Sequence, residues 1–291
     1  MDFEDFDDFE NDASHVKVWA KKQIDNSNIH ASAAHKRDGP FYCPDTYEEL
    51  IVRKCVDKID HFAYKVRYSP IVTKPETELH KACKHEILKS LTEMFPEGKW
   101  EVERQTFKEN KEKGLKRVIP DISGRNTASN CPIIIEIQAS FLSISQIIQR
   151  TLEYSKRGAF ILWVIPLKQP LGTDNFRPRL FERFLHQMYY GRIYYWRPGL
   201  GRNVMPVHYD TAERYIEENT WYEEGGFERT EGGYFKSYRR IKSPNFGKVL
   251  DIGNDFVAHE REKFTPTNEK MEVPACRVFK DNLINWWHKP E

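Results

Sequence analysis

The spacing of hydrophobic positions changes period several times along the chain, and each change marks a predicted element. In ETELHKACKHEILKSLTEMF, Leu79, Cys83, Ile87, Leu88, Leu91 and Phe95 recur at helical spacing. Thr77 is the expected N-cap, although position 80 is not the glutamate that would complete a capping box. Pro96 and Gly98 end the helix. WEVERQTF then alternates apolar and polar positions, and the charged turn KENKEKG leads into LKRVIPDISG. CPIIIEIQAS is apolar and β-branched, as in a strand buried on both faces. SISQIIQRTLEYSKRG returns to an amphipathic helix, with Ser143 or Ser145 near its start and Gly158 at its end. AFILWVIP closes the series as another buried strand. The predicted order is helix, three-stranded meander, helix, strand, an α/β arrangement. Its last connection is a helical crossover, which favours a right-handed parallel pairing.

Around this core, predicted to span residues 71–170, the pattern loosens. Residues 1–35 are polar with little periodicity and are expected to form an acidic, flexible tail. Residues 36–70 form a small β-rich unit, carried by FYCP and ELIVRKCVDKIDHFAY. Residues 171–291 form an aromatic-rich C-terminal extension, opening with the helix RPRLFERFLHQMYYG and the strand RIYYWRP, packed on or beside the core.

An apolar fraction of 39% over 291 residues suffices for one sizeable core. No run of about eighteen apolar residues occurs, so no membrane span is expected. The acidic N-terminus does not read as a secretory signal. Five scattered cysteines without paired spacing fit a reducing cytoplasm. The net charge of +1 hides an asymmetry, because residues 1–12 hold seven acids and no base, which leaves +8 on the remainder. That acidic stretch reads as a solvated tail, as a competitor for a basic groove, or as the recruiter of a protein partner. The sequence leaves oligomeric state open.

One group of polar residues interrupts the apolar runs. Asp121 follows a proline near the end of one predicted strand, and Glu136 lies in the middle of the next, with Gln138 two residues on. Positions i and i+2 of a strand face the same side, about 6.6 Å apart. If the two strands are hairpin neighbours, Asp121 joins the same cluster. A carboxylate inside IIIEIQAS costs several kcal/mol unless it has a partner, which can be a divalent cation, an arginine or lysine, or a proton. Two carboxylates suit a hard, oxygen-liking ion such as Mg²⁺, and phosphodiester hydrolysis gives such an ion a use.

RVIPDISGR, IIIEIQASFLSISQIIQRTLEYSKRGAFILWVIP and HFAY at 61–64 together resemble the competence protein CoiA-like family, within the PD-(D/E)XK superfamily of restriction-endonuclease-like nucleases. The resemblance runs over roughly residues 40–210. It rests on PD at 120–121, EIQ at 136–138 and the RT…Y…G…LW run from Arg150 to Trp163. It implies a mixed sheet flanked by helices, with Mg²⁺ or Mn²⁺ held by Asp121 and Glu136 and DNA as substrate. The substrate would be incoming or foreign DNA. Gln138 takes the position of the family's catalytic lysine; its amide orients water but carries no charge. The missing charge must then come from a second metal or a nearby Lys or Arg. With that charge absent, the alternative is a nucleic-acid-binding module with a nuclease-like fold and little or no turnover.

Glu76 best fits the family's acidic position on the first helix and is the expected third metal ligand, with Glu78 as the alternative. Acids at a helix N-terminus are also simply favourable, by roughly 0.3–1 kcal/mol. His80 is placed to contact phosphate or orient Glu76, or else to cap the core. Arg150 is a phosphate contact or the partner of an acid, and Tyr154, one turn on, is a core residue by default. Arg177 and Arg179, among arginines mixed with aromatics, suit phosphate contact and base stacking as well as a plain amphipathic helix. The N-terminal unit resembles the family's small module with Cys-x-x-Cys and HFAH. Here, however, Thr46 and Tyr64 replace two of those ligands. With Cys43, Cys55 and His61 left, zinc is not expected.

Overall fold

The computed structural model describes residues 17–44, 49–56, 59–65, 78–104, 112, 114–139, 142–222, 228–266 and 271–288. These divide into two compact units, one within residues 1–67 and 211–241, the other within residues 68–210 and 242–291.

In the first unit, β1 (Trp19–Lys22), β2 (Asn28–His30), β3 (Phe41–Tyr42), β4 (Glu49–Arg53) and β5 (His61–Tyr64) form a sheet in the order β2-β1-β3-β4-β5. Every pairing in it is antiparallel. Period-two alternation turns Leu50 and Val52 of β4 inward, onto a core with Ala20, Ala31, Ala34, Phe41, Cys43 and Phe62. The sheet therefore begins at Trp19, inside the stretch expected to be a tail. Its interior there is built from alanines, which leave no strong apolar period in the sequence. The acidic run itself lies outside the described residues. Lys54 closes this unit by donating to Ala31 O at 2.8 Å and Ser32 O at 2.7 Å while pairing with Asp60 at 2.9 Å.

The second unit opens with α1 (Glu78–Met94), which buries Cys83, Ile87 and Leu91 at four-residue intervals. Thr77, its expected cap, lies outside the described residues. Three antiparallel strands follow: β6 (Glu101–Val102), β7 (Ile122–Arg125) and β8 (Pro132–Ile137). The strand expected from WEVERQTF is thus confined, among the described residues, to two positions. Next comes α2 (Ile144–Lys156), where Ser143 accepts the Gln146 N–H and the Gln146 side chain reaches back to the Ser143 N–H. Gly158, at φ +76°, takes the left-handed conformation just past the helix end. The chain then returns as β9 (Phe160–Pro166), parallel to β8 and buried at all seven positions.

Beyond this core, α3 (Leu180–Met188) leads to β10 (Ile193–Trp196), which extends the sheet in parallel with the C-terminal half of β9. β11 (Asn203–Ile216) pairs antiparallel with β10. A two-stranded hairpin follows, β12 (Asn219–Tyr222) with β13 (Glu228–Glu231), then β14 (Tyr234–Phe246), next to β11 in the sheet order. β15 (Leu250–Asp251) pairs with the start of β11. β16 (Phe256–Arg261) and β17 (Cys276–Asp281) form a hairpin, and β17 meets β9 at Val278 opposite Ile161. Strands β10, β11 and β14 to β17 of the C-terminal extension therefore belong to the same sheet as β6 to β9, while β12 and β13 form a two-stranded sheet of their own, in the stretch that belongs to the first unit. Among the described residues no helix is long and apolar enough to cross a membrane.

Gly124 of β7 shows how tightly the layer next to the site is packed. A Cβ there would land on the indole ring of Trp100, which is itself 9% exposed. Gly124→Ala is expected to destabilise by about 1–3 kcal/mol through overpacking. Urea denaturation checks this, and an unchanged midpoint would show that Trp100 moves freely.

Candidate active site

Register fixes the centre of the site. The β7–β8 ladder pairs Ile122 with Ile135 and Ser123 with Ile134, so one further step places Asp121 opposite Glu136. Residues directly opposite in a ladder share a face. Asp121 is locked there because its Oδ2 accepts the backbone N–H of Ile137 at 2.8 Å. Gln138, two residues past Glu136 and on its face, donates its own backbone N–H to Val164 O of β9 at 2.8 Å. Both side chains are buried, Glu136 at 3% exposure and Gln138 at 6%.

Helices close the cluster from two directions. From α1, His80 Nε2 lies 3.4 Å from Asp121 Oδ1. From α2, Arg150 places one terminal nitrogen 2.6 Å from Glu136 Oε1, and the same nitrogen donates to Ile119 O at 2.9 Å. Tyr154, one turn further on, donates its hydroxyl to the same Oε1 at 2.5 Å. Both hydrogen bonds to Glu136 fall on Oε1, so Oε2 is the oxygen left for a further ligand.

The electrostatics set the two carboxyls apart. Burial pushes Asp121 up, but hydrogen bonds from His80 and from the Ile137 N–H, with the charges of His80 and Lys84, outweigh it and hold the group below the usual carboxylate range. Glu136 goes the other way. Burial, reinforced by the negative charge of Asp121, lifts it to about 8 in spite of Arg150 and Tyr154. Arg150 is thus an incomplete counter-charge for a buried Glu136 that lies beside a second carboxylate.

This has a sign that can be measured without any cation. Between the ordinary glutamate range and about pH 8, the folded chain keeps a proton on Glu136 that the unfolded chain has released. Glu136 therefore contributes a loss of stability as pH rises through that window, and a constant penalty above it. Chemical denaturation from pH 5 to pH 9 should show wild type losing more stability than Glu136→Gln, in which this contribution is absent. Parallel curves for the two proteins would contradict it.

Of the residues expected from the sequence, Asp121, Glu136, Gln138, His80 and Arg150 come together here. Glu78 begins α1 on its exposed side, and Glu76 lies outside the described residues. Arg177 and Arg179 precede α3, where the Arg179 N–H donates to Glu182 at 2.7 Å, on an element outside this cluster. Among the described residues, no group of three or more His, Cys, Asp or Glu side chains is placed to hold a metal. In the first unit, Cys55 Sγ and His61 Nδ1 are 3.8 Å apart, while Cys43 is sealed in the core at 0% exposure. Tyr154 was missed as a site residue. Its signal was present, since i and i+4 on one helix share a face and Arg150 was already a candidate.

Residues 76–199 match the family model described as competence protein CoiA, nuclease-like domain. No curated protein and no solved structure matches the chain.

Proposed function

Taking residues 76–199 as a member of the CoiA nuclease-like domain family, we propose that the chain is a divalent-metal-dependent nuclease that hydrolyses phosphodiester bonds in DNA, with a restriction-endonuclease-like core. The observation that carries this reading is the in-register meeting of Asp121 with the buried Glu136, with Arg150 paired to the latter. The donor set fits a hard cation such as Mg²⁺ or Mn²⁺, because both groups offer oxygen and Glu136 is short of positive charge. Glu76, outside the described residues, is the proposed third ligand. Such an ion lowers the pKa of a bound water and neutralises charge developing on the phosphate.

The chain's own groups have separate tasks. Asp121 is held as the anion by His80 and the Ile137 N–H, so it offers a fixed charge near neutrality. Arg150 and Tyr154 fix the rotamer of Glu136 and occupy one of its oxygens, which directs the other towards the ligand. Gln138, on the same face, orients water through its amide.

Purified protein incubated with linear, circular and single-stranded DNA, with and without Mn²⁺, tests the reading. Cleavage that requires Mn²⁺ and stops with a chelator supports it. Salt-sensitive binding with no cleavage of any substrate would overturn it in favour of a nucleic-acid-binding module without turnover.

A further inference from the structure

Gln138 leaves the site without the positive charge that phosphodiester cleavage calls for, and the fold offers a replacement from a different element. Lys84 lies four residues after His80, hence on the same face of α1. Its ammonium is 2.6 Å from Glu103 Oε1, and its side chain is only 11% exposed. Glu103 is tied to the centre of the site, because its backbone N–H donates to Asp121 O at 3.2 Å, next to the pairing of Val102 with Ile122. It is also a non-glycine residue held at φ +48°, in the left-handed region. Such backbone positions are strained and cluster at functional sites. The positive field of Lys84 at Asp121 agrees with this placement.

We propose that Lys84 is the phosphate-contacting cation of this nuclease, supplying from α1 the charge that position 138 lacks. The inference rests on the nuclease reading. Glu103 holds the ammonium beside Asp121 until substrate arrives. The Glu103 side chain is 59% exposed, so water can solvate it when a DNA phosphate takes its place on the ammonium. Arg150 is a poorer candidate for this task. One of its terminal nitrogens already serves Glu136 and Ile119 O, which ties the guanidinium to positioning Glu136.

The test is steady-state cleavage of linear DNA in Mn²⁺ by full-length wild type, Lys84→Met, Lys84→Gln, Glu103→Gln and the double variant Lys84→Met/Gln138→Lys, with thermal midpoints recorded for each. Both Lys84 variants are expected to lose roughly 10²–10³-fold in kcat, with little change in KM and with Mn²⁺ binding retained. Glu103→Gln is expected to lose less than either Lys84 variant, because the ammonium itself remains, and adding Gln138→Lys to Lys84→Met restores at least about tenfold, in line with electrostatic stabilisation by one group. Lys84 variants that cut at the wild-type rate would overturn the inference alone. So would equal losses in Lys84→Met and Glu103→Gln, which mark a structural pair, or a double variant that stays as slow as Lys84→Met. A wild type that cuts nothing overturns the nuclease reading and this inference with it.

Discussion

Asp121→Asn and Glu136→Gln are each expected to lower Mn²⁺-dependent DNA cleavage by about 10³-fold or more, with the fold intact. The metal's charge stabilisation is worth several kcal/mol in such reactions, and each ~1.4 kcal/mol is tenfold in rate. The two losses should not add in Asp121→Asn/Glu136→Gln, because one ion is lost in every case. Single-turnover cleavage of linear DNA at saturating protein measures this directly. Rates within about threefold of wild type, a difference of well under 1 kcal/mol, would remove both residues from the chemistry. The two variants should also differ in stability. Glu136→Gln relieves a carboxyl that burial holds at about 8, whereas Asp121→Asn breaks the contacts of a carboxylate that is favourably held.

The second large effect concerns folding, away from the site. Arg192 and Asp281 form an ion pair at 2.7 Å with exposures of 3% and 0%. Further bonds hold the pair: Tyr194 donates its hydroxyl to Asp281 at 2.6 Å, the Leu283 N–H donates at 2.8 Å, and Arg192 also reaches Leu283 O at 3.1 Å, although its Nε is buried without a partner among the described residues. This network fastens the C-terminal segment to β10 and seats Arg192 over the Trp286 and Trp287 rings at 5.4 and 5.0 Å. Asp281→Ala strands a buried guanidinium and is expected to cost about 3–5 kcal/mol, while Arg192→Met/Asp281→Leu costs less because no unpaired charge remains. Urea denaturation of the three proteins checks the order. A loss under about 1 kcal/mol for Asp281→Ala, the value of a surface pair, would contradict it.

The parts of the fold that sequence reading recovered are those where one physical signal dominates. The β8 and β9 runs are apolar because both faces are covered, α2 is bracketed by Ser143 and Gly158, and the pairing of β7 with β8 follows from a short hairpin. Once that hairpin is granted, Asp121 must meet Glu136, so the centre of the site was legible from two strands. What was not legible depends on long-range assembly. Lys84 enters only because α1 packs against β6, β8 and β9, and Glu103 only because it directly follows β6, the neighbour of β7. Arg150 was visible as a candidate partner of an acid, but not as the partner of Glu136 in particular. The early strands β1 and β2 were hidden because alanines fill their interior, and the joining of β17 to β9 was hidden because the two are separated by more than a hundred residues.

The claim at the centre of this account is that Asp121 and Glu136 share one divalent cation. Crystals soaked in Mn²⁺ and measured for anomalous scattering test it most directly. A single strong anomalous peak is expected within coordinating distance of one oxygen from each carboxylate, lost in Asp121→Asn. Arg150 still bonded to Glu136 with no peak beside either carboxylate, at Mn²⁺ concentrations that support cleavage, would contradict it.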